Sequence, residues 1–338
     1  MPLSDLRFID LQAWIARTLG TDAQILLISG DASFRRYFRV THFGDNQSLS
    51  YIVMDSPPQL IDVVPFISLA NEYHHHGILA PQVINQNPEQ GFLLLSDLGD
   101  TQLLSVLNQD NVSDYYQQAL QLLNTIANIT TSACEPLPIY DDEFVLRELG
   151  IFTEWLLQHH LGLAITDAEQ HMLKQVFQLL VDNVADQPKV GMHRDYHSRN
   201  LMLCDDQLAV IDFQDSVLGP ITYDAVSLLR DCYVRWPADK VEALMQVHYQ
   251  QMQQIGLLSP TVSINQYRRW FDLTGLQRHL KAAGIFCRLN YRDAKPGYMK
   301  DIPLTLRYVR DVAQGYDELI EFANWLDTKV IVPMESIS

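Results

Sequence analysis

The sequence predicts an α+β fold in two lobes, a small β-rich one first and a larger helical one after it. Three observations predict it. Short apolar strand patterns separated by turn residues crowd the stretch before Gly99. Long runs with apolar residues at helical spacing fill most of the remainder. The helical part is interrupted by a polar loop, His193-Arg194-Asp195-Tyr196-His197-Ser198-Arg199-Asn200, that leads into a hairpin pattern ending at Ile211-Asp212-Phe213.

Taken in order, Leu3 to Leu19 reads as an amphipathic helix that stops at Gly20. Gln24 to Ser29, Arg35 to Phe43 and Leu49 to Met54 read as three strands, with Gly44-Asp45-Asn46-Gln47 as the second turn. Pro57-Pro58 breaks the chain, and Ile61 to His76 reads as a helix closed by Gly77. Its consecutive His74-His75-His76 point different ways, which suits a negative helix end better than a metal. Gln82 to Ile84 and Gly91 to Ser96 complete the β-rich lobe, so the lobes are expected at 1–96 and 97–338. The helical patterns cover Val112–Thr130, Asp142–Leu161, Asp167–Val184, Tyr223–Arg235, Lys240–Ile255, Ile264–Leu289 and Leu304–Trp325. Leu201-Met202-Leu203 and Leu208-Ala209-Val210-Ile211 read as two strands joined by the turn Cys204-Asp205-Asp206-Gln207. There is no internal repeat.

Composition narrows the function. The 338 residues are 47% hydrophobic, ample for a core, and no apolar run approaches the ~18 residues of a membrane span. The first residues carry an early acid and no basic run, against a secretory leader. Cys134, Cys204, Cys232 and Cys287 are scattered, as expected of free thiols in a cytoplasmic protein. A net charge of −17 argues against nucleic acid as a partner. It leaves a nucleoside triphosphate open, because a cation and a few local side chains decide such a site.

The loop has the form H-R-D-x-x-x-x-N followed by hydrophobic-Asp-Phe, the pattern of a phosphoryl-transfer site. Asp195 would orient an attacking hydroxyl and accept its proton. Asn200 and Asp212, brought together by the hairpin, would hold Mg²⁺ on the phosphates of ATP. A β-rich lobe, a short connector and a helical lobe with this loop make the protein-kinase-like plan.

One expected part is missing. A kinase usually places a Lys on its third strand, paired to a Glu on the following helix. The position here holds Met54, and no Lys precedes Lys174. Arg35, Arg36 and Arg39 are the cations on the second strand. Strand alternation puts Arg35, Tyr37 and Arg39 on one face and Arg36 on the other, which favours Arg35 as the phosphate cation. The plainer alternative is that these are solvated edge charges. Glu72 sits where the ion-pair Glu belongs and would pair with Arg35 or Arg36, or else be a surface helical acid.

Gly30-Asp31-Ala32-Ser33-Phe34-Arg35-Arg36-Tyr37-Phe38-Arg39-Val40 resembles the phosphate-covering loop of the aminoglycoside phosphotransferase family. The resemblance is closest to its bacterial anomeric kinases of N-acetylmuramate and N-acetylglucosamine. It continues through Val53 to Pro58, Leu95 to Gly99, Met192 to Met202, Ile211 to Asp215, Gly275 to Lys281 and Arg288 to Asp293, nearly the whole chain. It implies an ATP- and Mg²⁺-dependent sugar kinase of cell-wall sugar recycling that forms a sugar 1-phosphate. Gly30, Ser33, Arg35, Arg36 and Glu72 would then bind the nucleotide, with Ser96 and Leu98 in the adenine-binding hinge. Asp215, Glu148, Arg278, His279 and Arg288 are the candidates for the sugar pocket, and Asp224 is expected to anchor the next helix. Arg278 and Lys281, three apart on one helix face, would meet one anion such as a lactyl carboxylate. No membrane or obligate protein partner is expected. Two other readings stay open: a kinase of the same superfamily acting on an aminoglycoside, an amino alcohol or another sugar, and a nucleotide-binding regulatory protein with impaired turnover.

Overall fold

The computed structural model describes residues 6–30, 34–43 and 48–337. In chain order it begins with helix α1 (Leu6–Leu19) and strands β1 (Gln24–Gly30), β2 (Arg36–Phe43) and β3 (Ser48–Asp55). Helix α2 (Val64–His75) and strands β4 (Val83–Asn87) and β5 (Phe92–Ser96) follow. Next come α3 (Val112–Ile126), α4 (Asp142–Ile151), which continues as a π-helix over Phe152–His160, and α5 (Asp167–Ala185). Strand β6 (Lys189–Met192) precedes the loop, the hairpin β7 (Leu201–Cys204) and β8 (Gln207–Val210) follows it, and β9 (Val217–Pro220) comes after the hairpin. The chain ends in α6 (Tyr223–Leu229), α7 (Ala238–Gln254), α8 (Ile264–Asp293), α9 (Ile302–Ala313), α10 (Ile320–Leu326) and α11 (Val332–Ile337).

Two compact units emerge: Met1–Leu103 with Ser132–Cys134 and Leu201–Asp215, and Leu104–Thr131 with Glu135–Asn200 and Ser216–Ser338. The hairpin, read in the sequence as part of the helical lobe, therefore groups with the sheet. Its backbone shows why, since Val210 N–H donates to Leu79 O (2.8 Å) and Leu203 N–H to Thr101 O (2.8 Å).

In the first unit the sheet order is β1-β2-β3-β5-β4, every pair antiparallel. Cross-strand partners share a face, and Arg36 stands opposite Asp55, Tyr37 opposite Met54 and Phe38 opposite Val53. The helical spacing of Leu11, Trp14 and Ile15 puts them on one side of α1. That side packs on Phe38, Val40, Val53, Phe92 and Leu94, so it covers the sheet face that carries Arg36. The hairpin turns at Asp205 and Asp206, with φ of 45° and 62°, the left-handed pair that a two-residue hairpin needs.

The second unit is helical around buried Leu149, Phe152, Leu180, Leu276, Leu280, Leu306, Val309 and Phe322. At Gly284 an added Cβ would lie 2.6 Å from the backbone of Ile151 and Phe152, so α8 meets the start of the π-helix only through a glycine. Two predicted helices end early. Tyr223–Arg235 stops at Leu229, ahead of Trp236-Pro237, and Leu304–Trp325 breaks after Ala313 near Gly315. The β6–β9 pairing, with Met192 opposite Val217, was not anticipated. Among the described residues no helix is long and apolar enough to cross a membrane.

Candidate active site

Strand β6 delivers the chain to the loop, and α6 braces the loop from both of its ends. At the first turn of α6, Asp224 accepts N–H bonds from His193 (2.6 Å) and Arg194 (3.0 Å). The second bond holds Arg194 at a φ of 77°, a conformation that costs a non-glycine residue of order 1 kcal/mol or more. Just past the end of α6, Asp231 Oδ2 accepts from the Ser198 N–H (3.0 Å) and hydroxyl (2.5 Å). Between these braces the loop closes on itself. His197 N–H and Asn200 Nδ2 both donate to the Asp195 carbonyl (3.0 Å each), and Asn200 N–H donates to His197 O (2.9 Å). Tyr196 reaches down to Ala119 O (2.8 Å). Sequence reading placed Asp224 as an anchor of its own helix, but Thr222 holds the N-cap position and Asp224 holds the loop. Asp231 gave no sequence signal, being a lone acid after an apolar run.

Burial disfavours an ionised Asp195, but the permanent charges of Lys281, Arg194 and Arg278 outweigh it and hold the carboxyl well below the usual range. His197 is itself neutral near pH 7, because burial depresses it to about 4 against the pull of Asp231. Burial pushes Asp224 up to about 6, although His193 and the two N–H donors oppose it.

Of the expected substrate residues, Glu148 and His279 are turned inward. Glu148 is 4% exposed. Its carboxylate takes Arg194 Nη2 and Lys281 Nζ at 3.0 Å and the Tyr140 hydroxyl at 2.5 Å, with Gln277 at 3.3 Å. It therefore anchors the cations beside Asp195 rather than presenting an open carboxylate. His279 is fully buried, bonded to Arg230 O (2.8 Å) and stacked on Tyr308 at 4.7 Å, and burial holds it near 3. It is a packing histidine. Lys281 is taken by Glu148 and Tyr223, so Arg278 and Lys281 do not act as an open pair. Arg278 is buried, and Arg288 is half-buried with its Nε unpaired among the described residues.

In the first unit, Arg36 forms an ion pair with the buried Asp55 (2.6 Å), which also takes Arg7. Arg39 is held by Asp97 (2.7 Å) and Asp100 (2.7 Å). Arg35 is 9% exposed and Met54 fully buried. The expected Glu72–arginine pair is absent among the described residues: the Glu72 carboxylate approaches only His76, at 3.9 Å, while Arg36 faces the other way toward Asp55. Ser96 engages Gln82 through both N–H and hydroxyl (2.9 Å each), and Leu98 O accepts from the Cys204 thiol (2.8 Å). Gly30 ends β1, and Ser33 lies outside the described residues. Asp212 has a φ of 66° and accepts from Gln214 Nε2 (2.7 Å), which also reaches the exposed Asp215 at 3.4 Å. Phe213 packs between Phe66 and Tyr73 of α2, at 5.0 and 4.9 Å.

The amide oxygen of Asn200 and the carboxylate of Asp212 are hard donors of the kind Mg²⁺ takes. The amide nitrogen of Asn200 donates to Asp195 O.

A sheet-bearing N-terminal unit and a helical unit whose loop fixes an ionised Asp195 define a phosphotransferase of the kinase-like kind. Residues 24–257 match the phosphotransferase enzyme family, and the chain belongs to it. It is 37% identical over 332 residues to the N-acetylmuramate/N-acetylglucosamine kinase of Pseudomonas putida, covering 95% of this chain and 96% of that one. It is also 37% identical to the enzyme of the same name from Neisseria meningitidis, covering 93% of each. Among solved structures the fold is similar to an ethanolamine kinase of Plasmodium vivax, with a TM-score of 0.65 at 13% identity over 90% of this chain and 87% of that one. It is similar too to a choline kinase of Streptococcus pneumoniae, with a TM-score of 0.62 at 15% identity over 92% of this chain and all of that one.

Proposed function

We propose that this chain transfers the γ-phosphoryl group of ATP to the anomeric hydroxyl of an amino sugar, N-acetylmuramate or N-acetylglucosamine, in the cytoplasmic recycling of cell-wall sugars. The observation that carries the reading is an Asp195 kept ionised by surrounding cations and held on a loop braced by Asp224 and Asp231. The near full-length likeness to kinases of that name supports the choice of substrate.

In this reading the sugar's C1 oxygen attacks phosphorus, its proton passes to the Asp195 carboxylate, and the bond to the ADP oxygen breaks. Little covalent chemistry is asked of the protein, so positioning and charge placement do most of the work. Asn200 and Asp212 would hold Mg²⁺, which when bound neutralises charge on the phosphates. Arg35 is the cation assigned to the phosphates in place of the missing Lys. The pairing of Arg36 with Asp55, on the face that α1 covers, favours Arg35 over Arg36 in that role. Residues 1–96 are assigned to the nucleotide, with Gly30 and Ser33 in the covering loop and Ser96 and Leu98 in the hinge. Residues 97–338 are assigned to the catalytic loop and the sugar, with Asp215, Arg278 and Arg288 the remaining sugar contacts.

Incubation with ATP and a panel of amino sugars, aminoglycosides and amino alcohols, read by mass spectrometry, tests this directly. A phosphorylated N-acetylmuramate or N-acetylglucosamine is expected. Transfer only to an amino alcohol or an aminoglycoside would refute the substrate, and no transfer at all would refute the kinase reading.

A further inference from the structure

Arg278 is anomalous among the buried cations of the second unit. Lys281 and Arg194 share Glu148, and Arg230 has Asp272 at 2.5 Å. Arg278 is 5% exposed, yet no carboxylate lies within ion-pair distance of it among the described residues. Its one hydrogen bond is from Nη1 to Cys232 Sγ at 3.5 Å, a weak acceptor. Asp231, its acidic neighbour, is already engaged by Ser198 and by the N–H of Tyr233 (3.0 Å). A guanidinium has five donors in a planar fork, and burying it without an anion is costly. Such a group suits an anion that arrives with a ligand, where each N–H bond is desolvated and charge-assisted. Arg278 also lies within electrostatic reach of Asp195, the residue that the reading above assigns to the reacting hydroxyl.

We infer that the Arg278 guanidinium is the receptor for a carboxylate carried by the sugar, and that it sets the preference for an acidic over a neutral amino sugar. The inference rests on the amino-sugar reading above. The lactyl carboxylate that N-acetylmuramate has and N-acetylglucosamine lacks is the group of that chemistry. Lys281 does not share the task, because Glu148 and Tyr223 hold it. The competing role for an unpaired buried arginine next to the base is stabilisation of the transferred phosphoryl group, which would not depend on which sugar is bound.

The test compares N-acetylmuramate, its lactyl methyl ester and N-acetylglucosamine in the parent and in Arg278→Gln, a shorter, neutral polar side chain. The kcat/KM ratio of the acid to the ester is expected to fall by roughly 10- to 100-fold in the variant, the effect of losing a charge-assisted bond in a desolvated site. Arg278→Lys should recover part of it. An unchanged ratio, or an equal loss with all three sugars, overturns the inference. Calorimetry of the same compounds without nucleotide separates this from failure of the kinase reading. If no sugar is phosphorylated, tighter binding of acid than ester by the parent, abolished in Arg278→Gln, still supports Arg278 as the receptor. Equal binding of acid and ester by the parent overturns it.

Discussion

Replacing Glu148 by Gln removes one charge from the interior and changes almost no volume. In the parent that carboxylate holds Lys281 and Arg194 at 3.0 Å each, and Lys281 is only 6% exposed. Charge-assisted hydrogen bonds contribute about 1.5–3 kcal/mol each, and stripping the partner from a buried ion pair costs about 3–5 kcal/mol. Gln keeps one acceptor, so a loss of about 3–4 kcal/mol in unfolding free energy is expected for two cations left with half a partner. Urea unfolding followed by tryptophan fluorescence at pH 7 measures it. The pH dependence gives a second check. Burial raises the Glu148 pKa, but Lys281 and Arg194 more than offset this, and the folded value lies below the ordinary one. The stability it contributes is therefore present above the unfolded value of about 4.3 and lost as pH falls through the folded value. The gap between parent and variant should be full at pH 7 and close on acidification below about pH 4. A difference under about 1 kcal/mol at pH 7 would show that the buried network is not a source of stability, and with it the account of how Asp195 is surrounded.

Asp195→Asn should keep the fold and nucleotide binding but lower turnover by at least ~10², because proton acceptance and hydroxyl orientation go together; near-normal kcat would sink the assignment. Asp212→Ala should weaken Mg²⁺-dependent nucleotide binding in calorimetry, and parent-like Mg·ATP affinity would remove Asp212 from the metal site. Arg35→Ala should raise the KM for ATP or lower kcat. Arg36→Ala should leave ATP kinetics close to the parent and instead cost about 1–3 kcal/mol of stability, since it strips a partner from buried Asp55. The reverse pattern would move the phosphate cation to Arg36.

The loop and its hairpin were legible because their signals are local: a spaced set of polar groups, two apolar strands and a turn of two aspartates. The face of Arg36 was legible too, since strand parity is a period of two and the register sets Arg36 opposite Asp55 and Tyr37 opposite Met54, while Arg35 precedes the strand. What the sequence hid was tertiary. Nothing local tells that Asp231 reaches Ser198 across 33 residues, or that Glu148 on α4 meets Lys281 on α8. His279 and Glu148 looked like pocket residues because polar side chains in a resembling segment suggest a ligand. Their burial depends on which way α4 and α8 face, which residue type does not determine. Helix ends misled for a related reason: the apolar spacing runs on past Leu229 and Ala313, while the chain turns ahead of Pro237 and near Gly315.

The central claim is transfer to the anomeric oxygen, and the 1-O-methyl glycoside of N-acetylglucosamine tests it most directly. With ATP and Mg²⁺, phosphorus NMR should show a sugar 1-phosphate from the free sugar and no product from the glycoside. A phosphorylated glycoside would place the acceptor at another hydroxyl and contradict the account.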